Sequence, residues 1–227
     1  MKNTTYATNL LKLLFNNTAF AGVGDASGLQ PSGTAGSLYV SLHTADPGSA
    51  GSQNTSEASY TGYARVAVAR SSGGWTVSSG TVTNAGAITF GACTAGSSVV
   101  SYFGIGTDTS GAGQLLYSFP LVQTYYALTG KASNETLTAP GHALSVNDPI
   151  VFTTVNAESL PGGISAGTTY YVLTVSGNDI TISTSIGGGT LNVTSDGVGL
   201  VGKIASLTVS TGVTPEFLTG QLAILEG

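Results

Sequence analysis

The 227-residue chain is 41% hydrophobic but only 7% charged, with a formal net charge of −5. Soluble proteins average about 25% charged residues, so Ser, Thr, Asn and Gly must carry the solvation here. The six basic residues (Lys2, Lys12, Arg65, Arg70, Lys131 and Lys203) are scattered, which argues against nucleic-acid binding; the single Cys93 allows no internal disulfide or self-sufficient thiolate metal site, and no apolar run reaches the roughly 18 to 20 residues of a membrane helix.

The first element is a helix over Thr5–Phe15. Tyr6, Leu10, Leu13 and Leu14 fall at helical spacing, and Asn3 or Thr4 can cap the first turn. Lys2, the apolar stretch from Leu10 to Phe15 and Ala19-Phe20-Ala21 imitate a secretory leader. Lys12 interrupts that stretch and Asn16-Asn17 follows it, so an amphipathic helix is the better reading. A short amphipathic helix must pack its stripe on this chain's sheet or on a neighbour, which makes Tyr6, Leu10 and Leu14 candidate contact residues. Gly22 to Gly36 reads as a loop.

Strand patterns follow. Leu38, Val40 and Leu42 alternate with Tyr39, Ser41 and His43, and Asp46-Pro47-Gly48 turns the chain. Further strands are predicted over 63–70, 75–77, 87–90, 99–105, 114–119, 206–210 and 221–225. Such spacing indicates an all-β fold, a β-sandwich of jelly-roll type carrying one short N-terminal helix. The stretch 129–203 has its own grammar: strands at 150–154, 169–175 and 180–182, with turns at Pro161-Gly162-Gly163 and Ser176-Gly177-Asn178-Asp179. It reads as an inserted, outward-projecting small β domain within a core of residues 1–128 and 204–227.

Catalytic patterns are weak. Gly163-Ile164-Ser165-Ala166-Gly167 matches a nucleophile elbow by letter, but it leads into a strand and not a helix. His43 lies three residues before Asp46, yet no recognisable serine completes a triad. His142 sits in a turn, with a local hydrogen-bonding role expected. The acids are dispersed, so the carboxylate pair of a polysaccharide depolymerase is not visible. Gly104-Ile105-Gly106 and Gly111-Ala112-Gly113 read as turn glycines around a hairpin, not as a phosphate cradle. No catalytic, metal or cofactor site is therefore expected. Among the ten tyrosines, Tyr125-Tyr126 and Tyr170-Tyr171 are candidates for stacking on a glycan, because adjacent strand residues face opposite sides.

Leu38 to Gly48, with Leu42-His43-Thr44-Ala45-Asp46-Pro47-Gly48 at its end, and Tyr60-Thr61-Gly62-Tyr63-Ala64-Arg65-Val66 together carry a resemblance. With Trp75, Tyr102 to Gly106 and Gly212 to Phe217, they resemble a family of tailed-bacteriophage virion surface proteins labelled tail-fibre, minor tail or head-decoration proteins. The resemblance covers roughly residues 1 to 125 and 204 to 227; shorter relatives run almost directly from Leu121 into Ala205. It implies a non-enzymatic structural protein on the exterior of the particle, made in the host cytoplasm. The leading expectation is a head-decoration or cement protein, bound to the major capsid protein and to itself as a homotrimer. The alternative is a tail or baseplate fibre subunit that holds a host-surface glycan through the insert. His43, Asp46, Pro47, Gly48 and Arg65 are then a structural turn motif, with Arg65 bonding into the turn.

Overall fold

A computed structural model describes residues 2–154 and 158–226. Among the described residues there is one helix, α1 (Thr4–Asn16), followed by strands. These are β1 (Ser37–His43), β2 (Val66–Ala69), β3 (Trp75–Ser78), β4 (Thr81–Asn84), β5 (Ile88–Thr89) and β6 (Ser97–Val100). There follow β7 (Tyr102–Gly106), β8 (Leu115–Pro120), β9 (Val122–Lys131), β10 (Thr136–Thr138), β11 (Pro149–Thr153) and β12 (Thr169–Ser176). The last are β13 (Asp179–Ser183), β14 (Gly197–Ile204), β15 (Leu207–Ser210), β16 (Glu216–Phe217) and β17 (Ala223–Leu225). The all-β expectation with a single N-terminal helix holds.

The chain divides into two compact units: residues 1–118 with 207–227, and residues 119–206. In the first, a four-stranded sheet runs in the order β2-β1-β7-β8, beside the smaller sheets β17-β4-β3, β15-β6 and β16-β5. The helix packs on β3 and β4. Its buried residues are Ala7, Leu11 and Phe15, with the Phe15 ring edge-on to Trp75 at 4.9 Å. The sequence pattern had placed the buried stripe at Tyr6, Leu10, Leu13 and Leu14. Small Ala7 wins because it can sit close to Gly80, whose N–H donates to Thr8 Oγ1 at 2.7 Å. Asn3 caps the start by accepting from the N–H of Thr5 at 2.9 Å. At the other end Arg70 donates to the carbonyls of Leu14 (2.6 Å) and Leu13 (2.9 Å), placing a cation on the negative pole of the helix.

The second unit is a closed six-stranded barrel in the order β10-β13-β12-β11-β14-β9. Alternate residues fill it, among them Leu128, Ile150, Phe152, Val172, Ile180 and Val201. The insert was expected at 129–203. The unit begins earlier because β9 and β14 pair from Val122↔Ile204 to Gly130↔Gly197, and without β9 the barrel has an open edge. One part of the wall is built around a buried proline. Gly130 and Gly197 face each other across β9 and β14, and a Cβ on either would come within 2.4 Å of Pro161. Their lack of side chains admits the loop carrying Leu160, Pro161 and Ile164.

Candidate functional site

The sequence motif on β1 leads into a buried polar cluster in the first unit. Ser41 and His43 share the face of β1 opposite Val40 and Leu42, and both are fully buried. His43 was expected on a polar strand face. It lies on that face, but the chain after β1 covers it. His43 Nδ1 lies 2.8 Å from the carbonyl of Thr55. A carbonyl can only accept, so Nδ1 carries the proton; Nε2 then accepts from the Ser41 hydroxyl at 2.8 Å. Burial lowers the His43 pKa, holding the ring neutral.

Room for this ring comes from the facing strand. Gly104 pairs with Ser41, and Gly106 with Tyr39. A Cβ on Gly104 would lie 2.6 Å from His43 Nε2 and 2.8 Å from Ser41 Oγ. On Gly106 it would lie 2.1 Å from Gln53 Cδ. These two glycines are thus in-strand clearances and not the turn residues their spacing suggested. Gln53, fully buried, uses its Oε1 to accept from the N–H of Asp108 at 2.8 Å, while its own backbone N–H donates to Gly113 at 3.0 Å.

Arg65 anchors the other side. Its Nε and Nη2 donate to the two oxygens of Glu57, both at 2.7 Å. Nη1 reaches the Asp108 carbonyl at 2.9 Å and Nη2 the Gly111 carbonyl at 2.6 Å. Arg65 therefore does not bond into the 44–48 turn as expected; it ties Glu57 to the 107–114 connection. Its pKa is raised, chiefly by the hydrogen bonds to Glu57. Tyr63 donates to Glu57 Oε1 at 2.8 Å and accepts from the N–H of Leu42 at 3.1 Å, and burial raises its pKa strongly. Asp46 accepts from the N–H of Gly48 at 2.9 Å, closing a local turn around buried Pro47. Asp46 is not a hydrogen-bond partner of either His43 ring nitrogen.

The cluster is a clamp. Each polar group in it holds backbone or another member, fastening the 44–59 and 107–114 segments over β1 and β7. Glu57, Gln53, Tyr63 and Ser41 were missed in the sequence. The available signals were a lone acid eight residues before Arg65 and the glycine pair inside a strand.

The other candidates lie apart. Tyr6 is 46% exposed and its ring stands 5.5 Å from Phe20, while Leu10 and Leu14 are half-buried. In the barrel, Tyr170 is buried, edge-on to Phe152, and its hydroxyl accepts from the N–H of Ser165 at 3.0 Å. Ser165 thus lies in a loop entering β12, with no helix behind it. Tyr126 packs against the barrel core and Tyr171 is half-buried. Tyr125 is 43% exposed and pairs across strands with Gly202, where its ring carbons lie 2.8 and 2.9 Å from the position of a Cβ. Its ring therefore covers the glycine, and that burial raises its pKa. His142 Nδ1 accepts from the N–H of Leu144 at 3.0 Å, the local role expected of it. Among the described residues no group of three metal-ligating side chains comes together, and no helix is long and apolar enough to cross a membrane.

The chain is thus an all-β protein in which a buried polar cluster fastens loops over a sheet. Residues 2–146, more than half of the chain, match the family described as Podophage GP4 fiber I protein gp80. The chain belongs to this family and is a phage structural protein associated with the virion. The match covers the first unit up to residue 118, not its C-terminal part at 207–227, and continues into β9 and β10 of the barrel. No curated protein matches the sequence.

Proposed function

We propose that the chain is a non-enzymatic fibre subunit on the exterior of a podophage particle, and that its barrel meets a host-surface glycan. The observation that carries this reading is the family match across residues 2–146. The clamp supports the absence of catalysis from this proposal, since His43 and Ser41 are buried and engaged with each other and with Thr55. Tyr125 is the tyrosine best placed for a sugar, with one ring face on Gly202 and the side chain 43% exposed. A single partly exposed ring offers little contact area, so glycan affinity should be weak per subunit and multiplied by a homotrimer.

Head decoration is the second reading, favoured by the half-exposed side of α1 at Tyr6, Leu10 and Leu14. There the partner is the major capsid protein. The deciding experiment combines immunogold labelling of whole particles with binding of the purified protein to host lipopolysaccharide and capsule. Label on tails, with binding reduced several-fold by Tyr125→Ala and no polysaccharide turnover, supports the fibre. Label on heads, with saturable binding to emptied capsids and none to sugar, overturns it in favour of decoration.

A further inference from the structure

One cation of the first unit is left over. Lys2 pairs with Glu226 and Arg65 with Glu57, and Arg70 holds the carbonyls at the end of α1. The Lys12 ammonium has no ion-pair or hydrogen-bond partner among the described residues. It lines an open cleft of about 370 Å³ between the C-terminal half of α1 and β3, a volume within the roughly 300–1,000 Å³ of small-molecule sites. The two walls are tied together, since α1 packs on β3 and Asn16 Nδ2 donates to the Trp75 carbonyl at 2.8 Å.

The rest of the lining is neutral and rich in hydroxyls. Ser72 and Thr76 are exposed, and their hydroxyls make no hydrogen bond among the described residues. Thr18 Oγ1 donates to the Asn16 carbonyl at 3.3 Å and keeps its lone pairs for an incoming donor. Val77 and Trp75 give the cleft its apolar wall, and the buried Trp75 Nε1 has no acceptor among the described residues. No acidic side chain lines the cleft. One ammonium, several hydroxyls and a short apolar wall match a polyhydroxylated ring bearing a single carboxylate. The carboxylate meets Lys12, the ring hydroxyls meet Ser72 and Thr76, and the C–H face meets Val77. A phosphate dianion is a poorer match, because there is one cation and the end of α1 nearby carries the negative pole of the helix.

We propose that this cleft binds a carboxylated sugar of the uronic-acid class, with Lys12 as its charge partner. The site belongs to the first unit, whereas Tyr125 belongs to the barrel. It does not depend on the fibre reading, because binding is a property of the purified chain.

Trp75 is the only tryptophan and lines the cleft, so its emission reports occupancy in the full-length protein. Titration with D-glucuronate and with D-galacturonate should give a saturable change for at least one of them, in the millimolar range expected of so small a ligand. Lys12→Met should weaken binding about tenfold, while Lys12→Arg should retain it. Thr76→Val, which removes a hydroxyl and keeps the branched shape, should weaken binding several-fold. Both residues are exposed, so circular dichroism should show an unchanged fold. Tyr125→Ala should leave the titration unaltered, which separates this site from any on the barrel. No saturable change with either uronate, or one that Lys12→Met leaves intact, overturns the proposal. An equal response to acetate would mark a bare ion site, and an equal response to D-glucose a site indifferent to charge. A tighter response to glucose 6-phosphate would mark a phosphate site, and each of these three results also overturns the proposal.

Discussion

Arg65 has a side chain only 1% exposed, and a guanidinium out of water is tolerable only while its acceptors are in place. Four acceptor contacts hold it, two from Glu57 and two from the backbone at Asp108 and Gly111. Arg65→Met should destabilise the first unit by about 3–5 kcal/mol, because Glu57 is then left part-buried and uncompensated. Adding Glu57→Leu should recover part of that loss, which urea unfolding of the single and double variants would measure. A purely additive cycle would mean that the pair does not act as a unit. Gly104→Ala makes a steric version of the same test. Its methyl would meet His43 Nε2, Leu115 Cδ1 and Ser41 Oγ, a conflict costing about 1–3 kcal/mol, and His43→Ser should relieve only the part due to the imidazole. The buried imidazole also sets a pH dependence. Its folded-state pKa is lowered, so the unfolded chain binds the proton more readily. The contribution of neutral His43 is fully present above the ordinary histidine pKa near 6.5 and is lost as pH falls through the lower, folded-state value. Urea midpoints followed from pH 8 to pH 4 should show a decline that His43→Gln removes.

At the scale of elements, α1 is held by its ends as much as by its face. Asn3→Ala should cost about 1 kcal/mol through loss of the N-cap. Arg70→Ala should cost at least as much, since the guanidinium also reaches Ser32 Oγ and the Ala35 carbonyl, both at 3.2 Å. Thermal unfolding read at Trp75 would rank the two. The helix was legible because Asn3 and the leucine spacing announce it. Its buried side was misjudged because Ala7 carries little hydrophobic weight beside Tyr6 or Leu10. β1, β12 and β13 were legible from alternation, since one face of each meets a core. β14 was hidden by Gly197, Gly199 and Gly202, which read as punctuation until their neighbours are known: a Cβ at these positions would strike Pro161, Leu160 and Tyr125 respectively. β9 was hidden with its partner, and the start of the insert was therefore placed too late. The clamp was half legible. His43 and Arg65 stood out by residue type, whereas Glu57 and Gln53 lie in a loop whose path depends on long-range closure that no local pattern encodes.

Over the whole molecule the charged residues divide by environment. Lys2–Glu226 and Lys203–Asp148 pair at the surface, the two lysines being 42% and 47% exposed, and such pairs contribute about 0–1 kcal/mol each. Arg65–Glu57 lies largely out of solvent. Screening by dissolved ions acts on charges that water reaches, and far less on a pair shielded by protein. A chain with 17 formally charged side chains, six basic and eleven acidic, and its best-made ion pair shielded, has little for salt to weaken. Its thermal midpoint should move by no more than about 2 °C between 10 mM and 1 M sodium chloride at neutral pH, where a charge-rich surface would respond visibly. A protein of this kind would keep its fold through abrupt changes of ionic strength, its two surface pairs loosening while Arg65 and Glu57 stay joined.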